Sequence, residues 1–278
     1  DDSGTGSEGQ TQTTMTPSTD LPTAAPTSLL DAKHSFLQGL LPNYTLQAIQ
    51  MEDDLQDPLT PQGLAYEWML QDPDLLEYED WRVKQRFALA TFYHATGGPD
   101  WFINDGWLTN HSLHECDWHI ATPFVGFKDV DEGLFYHDPI VTYEENRTNP
   151  CHQKEMQDSN TTMAVNTSDG VYRHLWAHIN NLQGSIPLEI YELLPSLKSI
   201  SLFGNSFDES GLSSHIGLLT SLEALNLADA GLGGTLPPSL SQLALTNLIL
   251  FSNDLTGTLP SVLALLTDLK TLLLDLNP

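Results

Sequence analysis

The sequence predicts an α/β solenoid, in which short parallel strands stack in chain order behind a helical N-terminal cap. Three observations lead to this prediction. The pattern Asn-x-Leu-x-Gly-[Ser/Thr]-[Ile/Leu]-Pro begins at Asn180 and again at Asn253. The leucines around it recur with a constant period, and two helical segments followed by three tryptophans precede the first copy. Such repeats must stack, because a single coil buries too little apolar surface to be stable alone.

Five copies of the longer pattern Leu-x-x-Leu-x-Leu-x-x-Asn-x-Leu align from residue 171 onward, with spacings of 25, 25, 23 and 24 between the Asn positions. This period is typical of leucine-rich repeats. The Leu-x-Leu alternation predicts a short strand with both leucines pointing inward. We expect the Asn side chains to hydrogen-bond backbone groups of neighbouring coils as a ladder. Residues 171–278 are thus predicted to form about five coils, the last incomplete, with further repeats expected beyond Pro278. The Asn positions are Asn180, Asn205, Ala230, Asn253 and Asn277.

Residues 60–170 are predicted to form the helical cap with an inserted acidic loop. Thr60 and Pro61 are expected to begin one helix, and Asp80 to be the N-cap of a second helix that ends near Gly97. The insertion 119–150 and the polar stretch 152–169 are expected to be exposed. Residues 1–59 are interpreted as a mostly disordered Ser/Thr/Pro-rich arm and linker, because the first 28 residues contain almost no large apolar side chain.

The Gly-x-[Ile/Leu]-Pro ending resembles the plant-type subclass of leucine-rich repeats, although the second repeat lacks it. Residues 60–278, with HECDW and LWAHINNLQGSIPLEI, resemble the leucine-rich repeat family of diatoms and related algae. This resemblance implies a cell-surface or secreted protein. The second cap helix followed by Trp…Cys-x-Trp…Cys resembles the N-terminal cap of plant-type repeat proteins. That resemblance implies a disulfide between Cys116 and Cys151, although the 34 residues between them exceed the usual spacing in such caps.

The charge balance narrows the choice of partner. The 37 acidic and 10 basic residues give a net charge of −27, which argues against nucleic acid and anionic membrane surfaces. The sequence has no apolar run long enough to span a bilayer, although an anchor outside this chain remains open. Five N-glycosylation sequons favour the secretory route and an extracellular or cell-surface location. They begin at Asn43, Asn110, Asn146, Asn160 and Asn166.

The sequence contains no recognisable catalytic motif. A Gly-x-Gly-x-x-Gly match at residues 4–9 has no predicted strand before it and no helix after it, so it is not assigned to nucleotide binding. We predict a protein that is not an enzyme and has no cofactor. The stretch HSLHECDWH offers His111, His114 and Cys116 for zinc. The cap disulfide accounts better for that cysteine, so no metal site is assigned. The acidic KDVDEG stretch lacks the Gly and Glu of a calcium loop.

The candidate ligand-binding surface is the concave face of the predicted sheet, for a protein, peptide or glycan ligand. Alternatively, the insertion 119–169 or the N-terminal arm covers this face, or its aromatic residues only favour strand formation. Two other functions remain open: the ectodomain of a membrane receptor, such as a receptor kinase, that continues beyond this chain, and a structural or adhesive cell-wall glycoprotein. The predicted face comprises Trp176, His178, Phe203, Asn226, Asp229, Ile249 and Phe251.

Overall fold

The computed structural model describes residues 28–43, 45–46, 60–118, 151, 169–208 and 211–278. Within residues 169–278, one strand from each repeat enters a parallel sheet in the order β1-β3-β5-β6-β7. A second, two-stranded parallel sheet pairs β2 with β4. The architecture fits the predicted leucine-rich repeat solenoid. The strands are β1 (His174–Trp176), β2 (Gln183–Gly184), β3 (Ser199–Ser201), β4 (Ser206–Phe207), β5 (Ala224–Asn226), β6 (Asn247–Ile249) and β7 (Thr271–Leu273).

The register of the five-stranded sheet places the central strand residues opposite one another, and this follows from the leucine pattern. Leu175 pairs with Ile200, Ile200 with Leu225 and Leu225 with Leu248. Each of these side chains is at most 1% exposed. Full burial of one such side chain contributes roughly 1.5–3 kcal/mol. The repeated column of aliphatic side chains is therefore the core of the solenoid.

The predicted asparagine ladder is present. The side-chain oxygen of Asn205 accepts from the backbone N–H groups of Asn180 and Leu182, both at 3.0 Å. Asn253 does the same for Ala230 at 3.1 Å and Leu232 at 3.0 Å. The ladder satisfies backbone donors that would otherwise be buried without a partner.

The cap contains the two predicted helices, α2 (Pro61–Gln71) and α3 (Asp80–Ala95). The Thr60 side chain accepts from the Gly63 N–H, which confirms Thr60 as an N-cap. The assignment of Asp80 as the second N-cap was wrong by one residue. Glu79 is the N-cap, because its backbone is extended and its carbonyl accepts from Arg82 and Val83.

The first helix of the described residues was not predicted. Helix α1 (Leu29–Leu40) lies inside the segment that was assigned to a disordered arm and linker. Leu37 of α1 is fully buried, and the Lys33 ammonium donates to the Leu70 carbonyl at 2.9 Å. These contacts with α2 join residues far apart in the chain, which explains why the local composition did not indicate them. Residues 1–27 and 47–59 of the assigned arm lie outside the described residues.

The cap and the repeats share one apolar core. Phe92, Trp107 and Trp118 of the cap belong to the same buried cluster as Leu175 of the first strand. Gly184 lies at this junction with φ +72°, and a Cβ there would lie 2.4 Å from the Ala95 carbonyl oxygen. Only glycine fits such a close approach.

A further helix and a disulfide lie within the described residues. A short helix, α4 (Leu188–Leu193), follows the first repeat phrase. The Cys116–Cys151 disulfide is present, with a Cα–Cα distance of 5.4 Å. None of the helices in the described ranges is both long and apolar enough for a bilayer crossing.

Candidate ligand-binding face

The side chains on either side of the buried leucines form a surface that we call the outer sheet face. It consists of the strand positions that flank each central leucine and the second and third positions after the strand. Alternation along a strand places these side chains opposite the apolar core. The aromatic and histidine residues of the face lie mainly on the first two coils. They are His174, Trp176, His178, Phe203 and Phe251.

The first coil orients its aromatic side chains through a buried serine. The Ser199 hydroxyl lies 2.8 Å from His174 Nδ1, and it accepts from the Trp176 indole N–H, also at 2.8 Å. The His174 and Trp176 rings are stacked, with centroids 4.9 Å apart. Sequence reasoning did not include His174 or Ser199 in the site. The alternation of side chains along a strand could have identified both residues, because it places them on the same strand face as residues that were included.

The residues two positions after each strand form a column along the sheet. This column contains a nearly parallel ring pair. The rings of His178 and Phe203 are 4.9 Å apart, with an interplanar angle of 3°. This distance is close to the strand spacing of about 4.8 Å, so the stack follows directly from the parallel register. Ala228 is next in the column and is 1% exposed, and a half-buried Phe251 follows it.

The turn after each strand has the same unusual backbone in several coils. Ile179, Asp229 and Ser252 have φ values of 48°, 47° and 56°, in the left-handed region. Gly204 holds the equivalent position in the second coil, where an added Cβ would lie 2.9 Å from Ile179 Cγ1. A β-branched residue at positive φ is strained, at a cost of about 1–3 kcal/mol. The strain presents the Ile179 side chain, 40% exposed, beside the ring pair.

The structure divides the seven predicted ligand-binding residues into two groups. Trp176, Phe203 and Phe251 are half-buried, and Asp229 is exposed. His178, Asn226 and Ile249 are only 6%, 4% and 1% exposed, so these three side chains offer a ligand little surface.

Specific contacts account for the burial of two of these three side chains, His178 and Asn226. Strands about 4.8 Å apart let side chains of adjacent coils cover each other, as Phe203 covers His178. Asn226 is also turned toward the backbone, because its side-chain oxygen accepts from the Ala228 N–H at 3.2 Å. The segments proposed to cover the face lie almost entirely outside the described residues.

The zinc hypothesis is weakened by the covalent state of the cysteines. His114, Cys116 and Cys151 have ligand atoms within 4.8 Å of one another. The two sulfur atoms are bonded to each other, and a cysteine binds zinc as a thiolate, which neither sulfur can supply in the disulfide. His114 Nδ1 already accepts from the Cys116 N–H at 3.1 Å, and burial lowers the pKa of the imidazole.

Of the five sequons, two lie in the described part of the chain. Asn43 and Asn110 are both exposed. Asn146, Asn160 and Asn166 lie outside the described residues.

Comparison with known proteins yields structural neighbours and no family. No protein-family model matches the chain. The LRR ectodomain of the plant membrane receptor kinase GASSHO1/SCHENGEN3 from Arabidopsis thaliana, in complex with CASPARIAN STRIP INTEGRITY FACTOR 2, is 39% identical over 38% of this chain, with a TM-score of 0.36. The Arabidopsis receptor kinase HAESA ectodomain, in complex with an IDA peptide hormone ligand, is 38% identical over 38% of this chain, with a TM-score of 0.37.

A third neighbour is a plant ice-binding protein, which is 30% identical over 38% of this chain and 34% of its own, with a TM-score of 0.32. This chain spans 12% and 18% of the two receptor ectodomains. Likenesses with TM-scores this low carry no argument about function. The assignment of the fold therefore depends on the strand register and the asparagine ladder.

Proposed function

We propose that the protein is a non-enzymatic recognition module that binds a peptide or an extended protein segment on the outer sheet face. The observation that carries this proposal is the set of half-buried aromatic rings on that face, Trp176, Phe203 and Phe251. Aromatic side chains are enriched among the residues that dominate binding energy at protein interfaces.

The surface is also preorganised. Trp176 is oriented by its hydrogen bond to Ser199, and Phe203 is stacked on His178. Rings that are already ordered lose little conformational entropy when a ligand binds, which favours affinity. A repeating sheet also offers an extended ligand similar contacts at regular intervals.

The charge of the surroundings favours a basic ligand. Asp229 and Asp275 are exposed on the same face, and the whole chain carries a net charge of −27. A potential of this sign accelerates association with cationic partners at low ionic strength. We therefore favour a peptide that combines aromatic or aliphatic side chains with Lys or Arg.

We also propose an extracellular or cell-surface location. The Cys116–Cys151 disulfide supports it, because stable disulfides are rare in reducing cytosol.

The test uses a displayed library of random twelve-residue peptides, selected on the immobilised full chain, with a glycan array as a parallel probe. Peptides enriched on the wild-type chain should bind the variant carrying Phe203→Ala and Phe251→Ala at least about 30-fold more weakly, because the loss of a single hot-spot residue costs about 2 kcal/mol. The matched control is Leu218→Ala, which removes a 47% exposed side chain away from the sheet.

The proposal fails if the selected peptides bind the double variant as well as the wild type. It also fails if only the glycan array yields a ligand. Far-ultraviolet circular dichroism of the double variant shows whether a loss of binding reflects unfolding.

A further inference from the structure

The two sequons in the described residues differ in geometry. At Asn110, the Ser112 N–H donates to the Asn110 side-chain oxygen at 2.9 Å, and the Leu113 N–H donates to the Asn110 carbonyl at 3.2 Å. Both Asn110 and Ser112 are exposed. The side-chain amide nitrogen of Asn110 and the hydroxyl of Ser112 therefore lie on the same solvent-facing turn.

The loop that carries this turn is held by the cap from beneath. Arg86 donates to the His111 carbonyl at 2.7 Å and to the Leu113 carbonyl at 3.1 Å. The His111 ring stacks on Trp68 with centroids 4.6 Å apart. Two backbone carbonyls of the loop are thus bound by the fold, whereas Asn110 and Ser112 of the sequon are exposed.

The Asn43 sequon has the opposite arrangement. Asn43 itself is exposed, but the Thr45 side chain is 0% exposed and its hydroxyl donates to Glu189 Oε1 at 2.9 Å. Folding therefore withdraws the hydroxyl that a glycosyltransferase recognises in this sequon. Of the two sequons, Asn110 alone keeps both groups available.

We propose that Asn110 is an N-linked glycosylation site, occupied when the chain passes through the secretory route that the proposed function requires. The donor is a lipid-linked oligosaccharide. The Asn110 amide nitrogen forms a bond to the anomeric carbon of the sugar and loses one proton. The bond from that carbon to the lipid pyrophosphate breaks, and the pyrophosphate leaves with the electron pair. A glycan here extends into solvent and leaves the buried contacts of Arg86 unchanged.

The experiment expresses the full chain, behind a heterologous secretion signal, in a eukaryotic cell line. Glycans are released by peptide-N-glycosidase in heavy-oxygen water, which converts each occupied Asn to a labelled Asp, and the peptides are read by mass spectrometry. We expect the label at Asn110 in most molecules. Asn110→Gln and Ser112→Ala should each remove one glycan and give the same electrophoretic shift.

Ser112→Ala is the informative variant, because it keeps the backbone N–H that forms the turn and removes only the hydroxyl. Ser112→Thr is its matched control and should retain the glycan. The proposal is overturned if the secreted protein with its disulfide intact carries an unmodified Asn110. Because the added signal imposes secretion, that result would not bear on peptide binding by the outer sheet face.

Discussion

The cap (residues 60–118) and the repeats (residues 169–278) bury their side chains through different kinds of contact. In the repeats, the same aliphatic column and the same Asn hydrogen bonds recur from coil to coil. In the cap, one fully buried cation holds the structure together. Arg86 pairs with Asp72 at 3.0 Å and with Glu115, and both carboxylates are fully buried.

The two regions differ in how many structural elements lose stability when one contact is removed. A coil contacts mainly its two neighbours, so the stability of the repeats approximates a sum of similar terms. Arg86 instead joins helix α3 to Asp72 after helix α2 and to the loop 111–115. Removing it takes the fully buried cation away from two buried carboxylates at once, and both the helices and the loop are affected.

The largest expected effect tests this central role. Arg86→Met should lower the free energy of unfolding by about 3–5 kcal/mol, because both buried carboxylates lose their fully buried cation and, of the two, only Glu115 keeps an arginine, Arg82. Urea denaturation followed by tryptophan fluorescence measures it, since Trp107 and Trp118 lie in the cap core. The matched control is Arg82→Met. The Arg82 side chain is 21% exposed and contacts Glu115 at 3.4 Å, so its loss should cost about 0–1 kcal/mol. Equal losses for the two variants would contradict the role of Arg86.

A smaller and more local effect is expected in the repeats. Asn253→Ala removes the acceptor of the Ala230 and Leu232 N–H groups and the donor to the Leu227 carbonyl. Leaving buried donors unpaired should cost about 1–3 kcal/mol. Hydrogen exchange of the Ala230 and Leu232 amides should accelerate more than that of amides in the cap.

The control for the ladder is Asn247→Ala. Its side chain is half-buried and donates only to the neighbouring Thr246 hydroxyl. If hydrogen exchange in Asn253→Ala accelerated equally across the cap and the repeats, the effect would not be confined to neighbouring coils. That result would contradict the prediction.

The smallest effect concerns acid sensitivity of the cap. Burial lowers the pKa of His94, so its neutral form is favoured in the folded state. Above the ordinary His pKa this preference contributes fully to stability. As the pH falls below that value the unfolded chain takes up the proton first, and stability is lost until the lowered pKa is passed.

We therefore expect wild-type protein to lose more stability between pH 7 and pH 5 than His94→Gln does. Thermal unfolding at both pH values measures the difference, and all other titrating groups cancel in the comparison. An identical loss in the two proteins would contradict a buried neutral His94.

Parts of this structure could be predicted from local pattern alone. The strand positions, the Asn ladder and the helix that begins after Thr60 follow from periodicity and cap residues. Exposure on the outer sheet face could not be predicted in the same way. His178 and Asn226 occupy the expected face, but both are buried. The stacked Phe203 ring covers His178, and a hydrogen bond from the Ala228 N–H turns the Asn226 side chain toward the backbone. Helix α1 was missed for a similar reason, because its buried side chains contact residues about forty positions away.

The sequence by itself determined the repeat, because a 23- to 25-residue period of leucines can bury its apolar side chains only by stacking. The resemblance of the cap segment to plant-type caps also predicted the Cys116–Cys151 disulfide. Only the tertiary structure decided which polar side chains are buried together, as with Arg86, Asp72 and Glu115, and which sequon hydroxyl stays in solvent. These outcomes depend on contacts between distant segments, and the energies of such contacts are set by burial that no local pattern records.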